Sequence, residues 1–472
     1  MTNIRNAILT GAFFTGLSKY LSLGINLIVT AILARLLAPE DFGVVALTVV
    51  FTSFFDILAT GGMVPAIIQN DSISDLELSD LFSFSLILSV IFCLIFILLI
   101  VPISNFFSEN RLRLLLLFLS IQLIFNTLNV VPRAVILKAK NFRLLSIISS
   151  SGAVFWGFVS IISAYAGLGI YALIVAPIGS SCSNFVLNYI FCKKKLYFKL
   201  KFSLEPVKKI FSFSVYQLLF NFINFFSRNL DKILLGRYLG MGLLGYYEKS
   251  YKLMTLPIST LTNVLTPAIQ PVLVKYQNER SVAYNVYLKF TDTLLLIGFA
   301  LMPFLFFSSN ECILLVFGSQ WRDAIPVFSI LSISVPFQLV DSISGSIFQS
   351  TNKVVYLLKS GFLCALINIL FLVLGLILGG LQLVASFVTL SFILNFIISS
   401  YYINKLVFGK TLISYLTLCG KHIPVFITIS LSLLIVNMFP LDIVSGFLIK
   451  LIISVSIFIS YCRIRKIKLL DV

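Results

Sequence analysis

"LARLLAPEDFG" (Leu33–Gly43) and "LGRYLGMGLLG" (Leu235–Gly245) share one spacing, L-x-R-x-L-x5-G, at an offset of 202 residues. Each copy closes one apolar stretch and opens the next. Pro65-Ala66-Ile67 and Pro267-Ala268-Ile269 repeat at the same offset. Two separate matches in one register predict an internal duplication. The arginines, Arg35 and Arg237, fall where a helix ends before a turn. There a cation complements the helix C-terminus, so a structural role is expected for both.

The surroundings of these motifs fix the solvent. Hydrophobic residues make up 59% of the 472-residue chain and charged residues 11%. A soluble domain is nearer half apolar and about a quarter charged. Continuous apolar runs of about 20 residues span a bilayer as helices, whereas a membrane barrel would show alternating strands of about ten residues. About fourteen spans are expected, near 11–35, 42–69, 82–102, 112–132, 145–166, 169–192, 209–235, 243–273, 287–308, 325–349, 357–379, 381–404, 413–438 and 443–462. The first run fits an uncleaved anchor better than a secretory signal.

The basic residues orient the spans. Arg133, Lys138, Lys140 and Arg143 follow span four, and the lysines between 193 and 209 follow span six. Lys275, Arg280 and Lys289 follow span eight, and Lys405, Lys410 and Lys421 follow span twelve. Arg463, Arg465, Lys466 and Lys468 form the tail. All lie after even-numbered spans, which predicts that side and both termini to be cytoplasmic. The acidic stretch Asp71 to Asp80 is the exception. The net charge of +17 is therefore topological, and nucleic acid is excluded as a partner.

If spans one to six repeat as seven to twelve, both halves insert alike. The expected fold is an all-α polytopic membrane protein. It has two six-helix lobes in a parallel pseudo-twofold repeat, plus two extra C-terminal helices. The lobes are drawn at 1–200 and 201–404, with 405–472 as spans thirteen and fourteen and a basic tail. Transporters of this kind hold substrate between repeats and alternate access by rocking.

Ionisable residues within apolar runs mark the expected site. Each costs roughly 2.5–3.5 kcal/mol at a helix centre, so they must pair, line a wet cavity or lie near an interface. Lys19, Arg228, Lys232, Lys249 and Lys252 are candidates to line a cationic cavity suited to an anionic headgroup. Arg228 and Lys232 are four apart on one face, with Asp231 three from Arg228. Glu248 can pair with Lys252 or, like Asp56 and Asp341, serve in proton or cation coupling. Asp56 and Asp341 lack local partners and could equally pair with a lysine from another span. His422 is the single histidine, which excludes a His-cluster metal site, and it is read as structural or interfacial. The seven cysteines are scattered and read as core residues. No Walker loop, HExxH or G-x-S-x-G occurs, so no enzyme chemistry and no cofactor are expected, and transport must draw on an ion gradient or on substrate consumption.

"AILARLLAPEDFGVVAL" with "DILATGGMVPAIIQ", and "SRNLDKILLGRYLGMGLLGYYEKSYKLMTLPI", resemble the polysaccharide exporters of the multidrug/oligosaccharidyl-lipid/polysaccharide superfamily. In character they are nearest the Wzx-type repeat-unit flippases of lipopolysaccharide and capsule assembly. The resemblance is clearest over residues 10–280. It implies a MATE-like fold and a bacterial inner-membrane protein that moves undecaprenyl-pyrophosphate-linked oligosaccharide from the cytoplasmic to the periplasmic leaflet. It implies a polysaccharide polymerase and a chain-length regulator as partners, beside membrane lipid. Competing readings are an ion-coupled drug exporter, which would favour a carboxylate-rich cavity, a peptidoglycan-precursor flippase, and a membrane-embedded glycosyltransferase.

Overall fold

With no water in hydrocarbon to satisfy exposed N–H and C=O groups, a chain this apolar must close its backbone hydrogen bonds inside helices. The computed structural model describes residues 2–70, 72–199, 201–275, 279–411 and 413–465, and no strand occurs among them. The elements up to residue 240 are α1 (Thr2–Leu36), α2 (Pro39–Thr60), α3 (Met63–Gln69), α4 (Asp75–Phe107), α5 (Arg111–Leu128), α6 (Val130–Lys138), α7 (Phe142–Tyr165), α8 (Ala172–Phe191) and α9 (Glu205–Tyr238). Then follow α10 (Met241–Lys275), α11 (Arg280–Phe307), α12 (Ser309–Phe317), α13 (Ala324–Ser332), α14 (Val335–Asp341), α15 (Ser344–Ser350), α16 (Val354–Leu378), α17 (Leu381–Tyr401), α18 (Ile413–Lys421), α19 (Ile423–Val436) and α20 (Ile443–Ile464). Every expected span coincides with a helix or a broken helix. The short α12 lies outside that set.

Among the described residues, ten helices are long and apolar enough to cross a membrane, and the pair Ala324–Ser332 and Val335–Ser350, bent by 53°, makes an eleventh. This is a multi-pass membrane protein. The 34-residue α9 and 35-residue α10 are more polar, because they carry Arg228, Asp231, Lys232, Glu248, Lys249 and Lys252.

Local chemistry sets the helix ends. Ala38 is extended before Pro39, which opens α2 with Glu40 and Asp41 in the first turn, where acid complements the helix N-terminus. Gly61 and Gly62 take left-handed φ values of 53° and 69° and split α2 from α3, a conformation natural to glycine. Ser74 and Glu77 form a reciprocal capping box at the start of α4, which satisfies two donors that a helix end leaves orphaned.

The repeated glycine has a packing reason. A Cβ on Gly43 would lie 1.8 Å from the carbonyl oxygen of Met241, and one on Gly245 would lie 2.0 Å from that of Pro39. Pro39 and Met241 are themselves related by the offset of 202 residues. The first turns of α2 and α10 therefore meet backbone to backbone, and each repeat-related glycine faces the other's partner carbonyl. The spacing places the one residue without a side chain at that crossing. Arg35 and Arg237 are exposed in the last turns of α1 and α9, and the Arg237 guanidinium lies 5.1 Å from the Phe106 ring centroid.

The acidic stretch that broke the charge pattern is neutralised from its own side. Asp75 pairs with Lys194 at 2.8 Å, Asp80 with Lys199 at 2.7 Å and Glu77 with Lys209 at 2.6 Å. The loop before α9 lies against α4 through Tyr197 N to Ser79 Oγ at 3.3 Å and Lys199 N to Ser83 Oγ at 2.9 Å. The acids belong with the lysine loop. Where α4 turns into α5, Arg111 bonds Glu40, Asp41 and Glu109, and its bonds hold the Glu109 carboxyl below the ordinary glutamate range.

The chain forms two compact units, residues 1–245 and 246–472. The sequence had suggested a boundary at 200. It falls later because α9 packs on α2, α3 and α4. In the first unit α1 runs along α7, α4 along α5, and α7 along α8. In the second, α11 packs on α14 and α19, and α16 on α17, and Phe328, Phe348 and Trp321 are buried.

Candidate functional site

α5 runs on into α6 through Asn129, which keeps helical angles, and Arg133 on α6 lines the same cleft as Lys19 on α1. With α7 and α8 these elements enclose a cleft of about 550 Å³ in the first unit. Lys19 and Arg133 border it. Ser18, Ser22, Asn26, Ser146, Ser149, Asn129, Asn184 and Asn188 also line it, with Leu23, Leu137, Phe142 and Leu145, and most of the surface it exposes is apolar. Ser18 Oγ lies 2.6 Å from Ser150 Oγ and donates to Ser146 O at 3.1 Å, which ties α1 to α7. Asn188 Nδ2 donates to Asn129 Oδ1 at 2.9 Å. The other amide oxygens, Asn184 Oδ1 and Asn188 Oδ1, are buried and accept no bond. Asn184 and Asn188 are four apart on α8, so they share a face. The cleft combines two cations with acceptors held ready for hydroxyl donors, and it offers no nucleophile–base pair.

Of the five expected cations, Lys19 borders this cleft. Arg228 is exposed and Lys232 half-buried on α9, in the first unit but outside the cleft lining. Lys249 is buried and Lys252 exposed on α10, in the second unit. Arg133 was read in the sequence only as part of a basic loop, and Asn184 and Asn188 were not singled out. Their signal was available: amides spaced i, i+4 in an apolar run.

The acidic candidates divide as well. Asp56 Oδ2 accepts from Asn126 Nδ2 at 3.2 Å while Oδ1 is buried without a bond; its partner is an amide, not a lysine. Asp341 accepts from Ser344 Oγ at 3.5 Å at the end of α14, and Glu248 is half-buried on α10. Asp292 on α11 bonds Lys421 and the fully buried His422, each at 2.7 Å. His422 is thus a structural partner joining α11 to the α18–α19 junction. Among the described residues no group of His, Cys, Asp or Glu is arranged to hold a metal ion.

Residues 32–326 match the family described as "Polysaccharide biosynthesis protein", more than half of the chain. The chain belongs to the polysaccharide biosynthesis protein family. Two relatives agree. The teichuronic acid biosynthesis protein TuaB of Bacillus subtilis is 27% identical over 75% of this chain and 73% of its own. The lipopolysaccharide biosynthesis protein WzxC of Escherichia coli is 26% identical over 88% of this chain and 84% of its own. Among solved structures, the lipid II flippase MurJ in an inward closed conformation superposes with a TM-score of 0.75 at 14% identity, over 96% of this chain and 98% of its own. An inward-facing MATE multidrug transporter of the MOP superfamily gives 0.62 at 17% identity, over 79% and 92%. At those identities the likeness establishes the fold, and it is the MATE-like fold that the resemblance implied. The duplicated glycine motifs lie within the matched family region.

Proposed function

We propose that this family member is a flippase for lipid-linked oligosaccharide repeat units of a surface polysaccharide, carried by undecaprenyl pyrophosphate, and that it works by alternating access. The observation that carries the reading is the first-unit cleft, where Lys19 and Arg133 stand beside the uncommitted amide oxygens of Asn184 and Asn188. A pyrophosphate needs cations, and charge-assisted bonds to phosphate oxygens are roughly twice as strong as neutral ones. Sugar hydroxyls need acceptors. Crossing hydrocarbon unaided would strip both of water at great cost, and a cleft that offers cations and amides in place of that water lowers the barrier while the lipid tail stays in the bilayer. Arg228, Lys232, Lys249 and Lys252 are proposed to receive the headgroup at other stages of the cycle, and Asp56, Asp341 and Glu248 to couple it to a proton or cation gradient. The protein sits in the bacterial inner membrane with both termini cytoplasmic, where the basic loops favour them. A polymerase and a chain-length regulator would use the product. A further relative, the succinoglycan biosynthesis transport protein ExoT of Rhizobium meliloti, 23% identical over 67% of this chain and 64% of its own, supports a transporter rather than an enzyme.

The test is to delete the gene and extract the lipid-linked oligosaccharides. The expected result is a completed repeat unit held in the cytoplasmic leaflet, with loss of surface polysaccharide, both reversed by the intact gene. Its mass then names the sugar. Normal surface polysaccharide without an accumulated intermediate, in a strain lacking a second exporter, would overturn the reading. Accumulation of a peptidoglycan precursor instead would assign the cleft to that substrate.

A further inference from the structure

Where α11 ends, the second unit holds a cavity of about 480 Å³, within the range of roughly 300–1,000 Å³ typical of small-molecule sites. Its inner wall is Glu311 on α12 and Lys450 on α20, which expose 8% and 3% of their surface. Lys450 Nζ donates to Glu311 Oε1 at 2.6 Å and to the Phe307 carbonyl oxygen at 2.9 Å. An ammonium has three N–H donors, so one remains uncommitted. Glu311 Oε2 is buried and accepts no bond. One donor and one acceptor thus remain, side by side, at the wall of a polar cavity. Asn310, Asn437, Phe306 and Phe439 are among the other residues that line it.

The pair is neutral as a unit. An anionic ligand would meet Glu311 and a cationic one Lys450. A hydroxyl group suits both, because it donates and accepts at once. Primary amides add further donors and acceptors, and aromatic rings offer faces to the apolar C–H side of a sugar. We propose that this cavity is a second ligand site, which binds a neutral sugar ring. One ring hydroxyl donates to Glu311 Oε2, an oxygen of the ring accepts from Lys450, and Asn310 and Asn437 hold the remaining hydroxyls. The α19–α20 pair lies outside the duplicated spans, so this site is not a repeat of the Lys19 cleft and does not depend on it.

The test uses the full-length protein in lipid nanodiscs, with radiolabelled galactose, glucose and N-acetylglucosamine as neutral probes and glucuronate and glucosamine as charged comparators, in equilibrium dialysis. At least one neutral sugar is expected to bind saturably, at least about tenfold more tightly than its charged counterpart. Glu311→Gln keeps an oxygen for Lys450 but replaces an acceptor with a donor. Asn437→Leu changes an exposed rim amide without touching the ion pair. Each is expected to weaken binding at least about tenfold, and Lys208→Ala, at an exposed pair with Glu205 away from both cavities, to leave it unchanged. Absence of saturable binding, or binding that both cavity variants leave intact, would overturn the site and leave water as its occupant. Binding lost only in Lys19→Ala would place the sugar in the first-unit cleft, against this inference but in keeping with the proposed function. Failure of the flippase reading would show instead in the leaflet measurement, whatever these sugars do.

Discussion

In the first unit, Lys19 and Arg133 border about 550 Å³ of open cleft beside amide oxygens that accept nothing. In the second, Lys450 and Glu311 face each other at 2.6 Å, and Asp292 is held by Lys421 and His422 at 2.7 Å each. Both units carry ionisable groups in apolar surroundings. The first brings two cations to the wall of one cleft, and the second holds the cation of its cavity wall against a carboxylate. Charge set beside a cleft serves a ligand, and charge bonded to its opposite serves first to hold helices in register. A scan of apolar runs for charged residues has no means of separating the two kinds.

The sharpest way to break this contrast is to strand one member of a pair. Lys450→Ala leaves Glu311 buried without its cation, and removal of one partner of a buried pair costs about 3–5 kcal/mol. Denaturation of the purified protein in detergent should show that loss. Lys450→Met combined with Glu311→Leu should recover most of it, since apolar replacements of similar volume are tolerated. If the single variant is as stable as the parent, the pair is not a structural element.

The next largest effect belongs to the crossing of α2 and α10. Gly43→Ala forces a methyl into the Met241 carbonyl and should cost about 1–3 kcal/mol or more, as overpacking does. Gly245→Ala should cost a similar amount. The double variant should cost less than the sum, because both changes open one contact. Gly24→Ala, where a Cβ meets nothing within 4 Å, is the control.

Arg133→Ala should do the reverse of Lys450→Ala. Stability should change by no more than about 0.5 kcal/mol, as for a surface substitution. Export of repeat units should fall roughly tenfold or more, since a bond to a charged group contributes about 1.5–3 kcal/mol. Loss of stability with export unchanged would move Arg133 into the structural class.

The smallest effects lie at the exposed pairs. Lys194→Ala, which removes the exposed pair with Asp75, should cost less than about 1 kcal/mol, the usual range for such pairs, and still less at high salt. Glu109 has its pKa lowered by Arg111, so its contribution is complete above the ordinary glutamate pKa of about 4.3. It is lost as pH falls through the lower folded value. Glu109→Gln should therefore narrow its stability gap to the parent below about pH 4. A gap that stays constant on acidification would argue against the Arg111 bond.

Much of the fold was legible because hydropathy, breakers and basic loops report directly on solvent. The spans near 11–35 through 443–462 became helices at those places. The 202-residue register was legible too, and its reason, two glycines facing each other's carbonyls, needed coordinates. The boundary at 245 was not legible, since α9 packs on α2, α3 and α4 through apolar contacts that resemble any others in sequence. Lys19 was recognised as a site residue because a lysine in an apolar run must be explained. Arg133 was hidden among loop cations, and Glu311 and Lys450 were overlooked although they sit in apolar surroundings. Asp56 drew attention for its charge, yet its partner is an amide, Asn126, which no charge-based rule would choose.

The central claim is that the Lys19–Arg133 cleft carries an anionic, sugar-bearing headgroup across the membrane. The most direct test reconstitutes the purified chain into vesicles with lipid-linked repeat unit from its own host and measures how much becomes accessible to an external glycosidase over time. The parent chain should expose the inner-leaflet pool, while Lys19→Ala and Arg133→Ala, folded to the same extent, should slow exposure roughly tenfold or more. Equal exposure by parent and both variants would contradict the account.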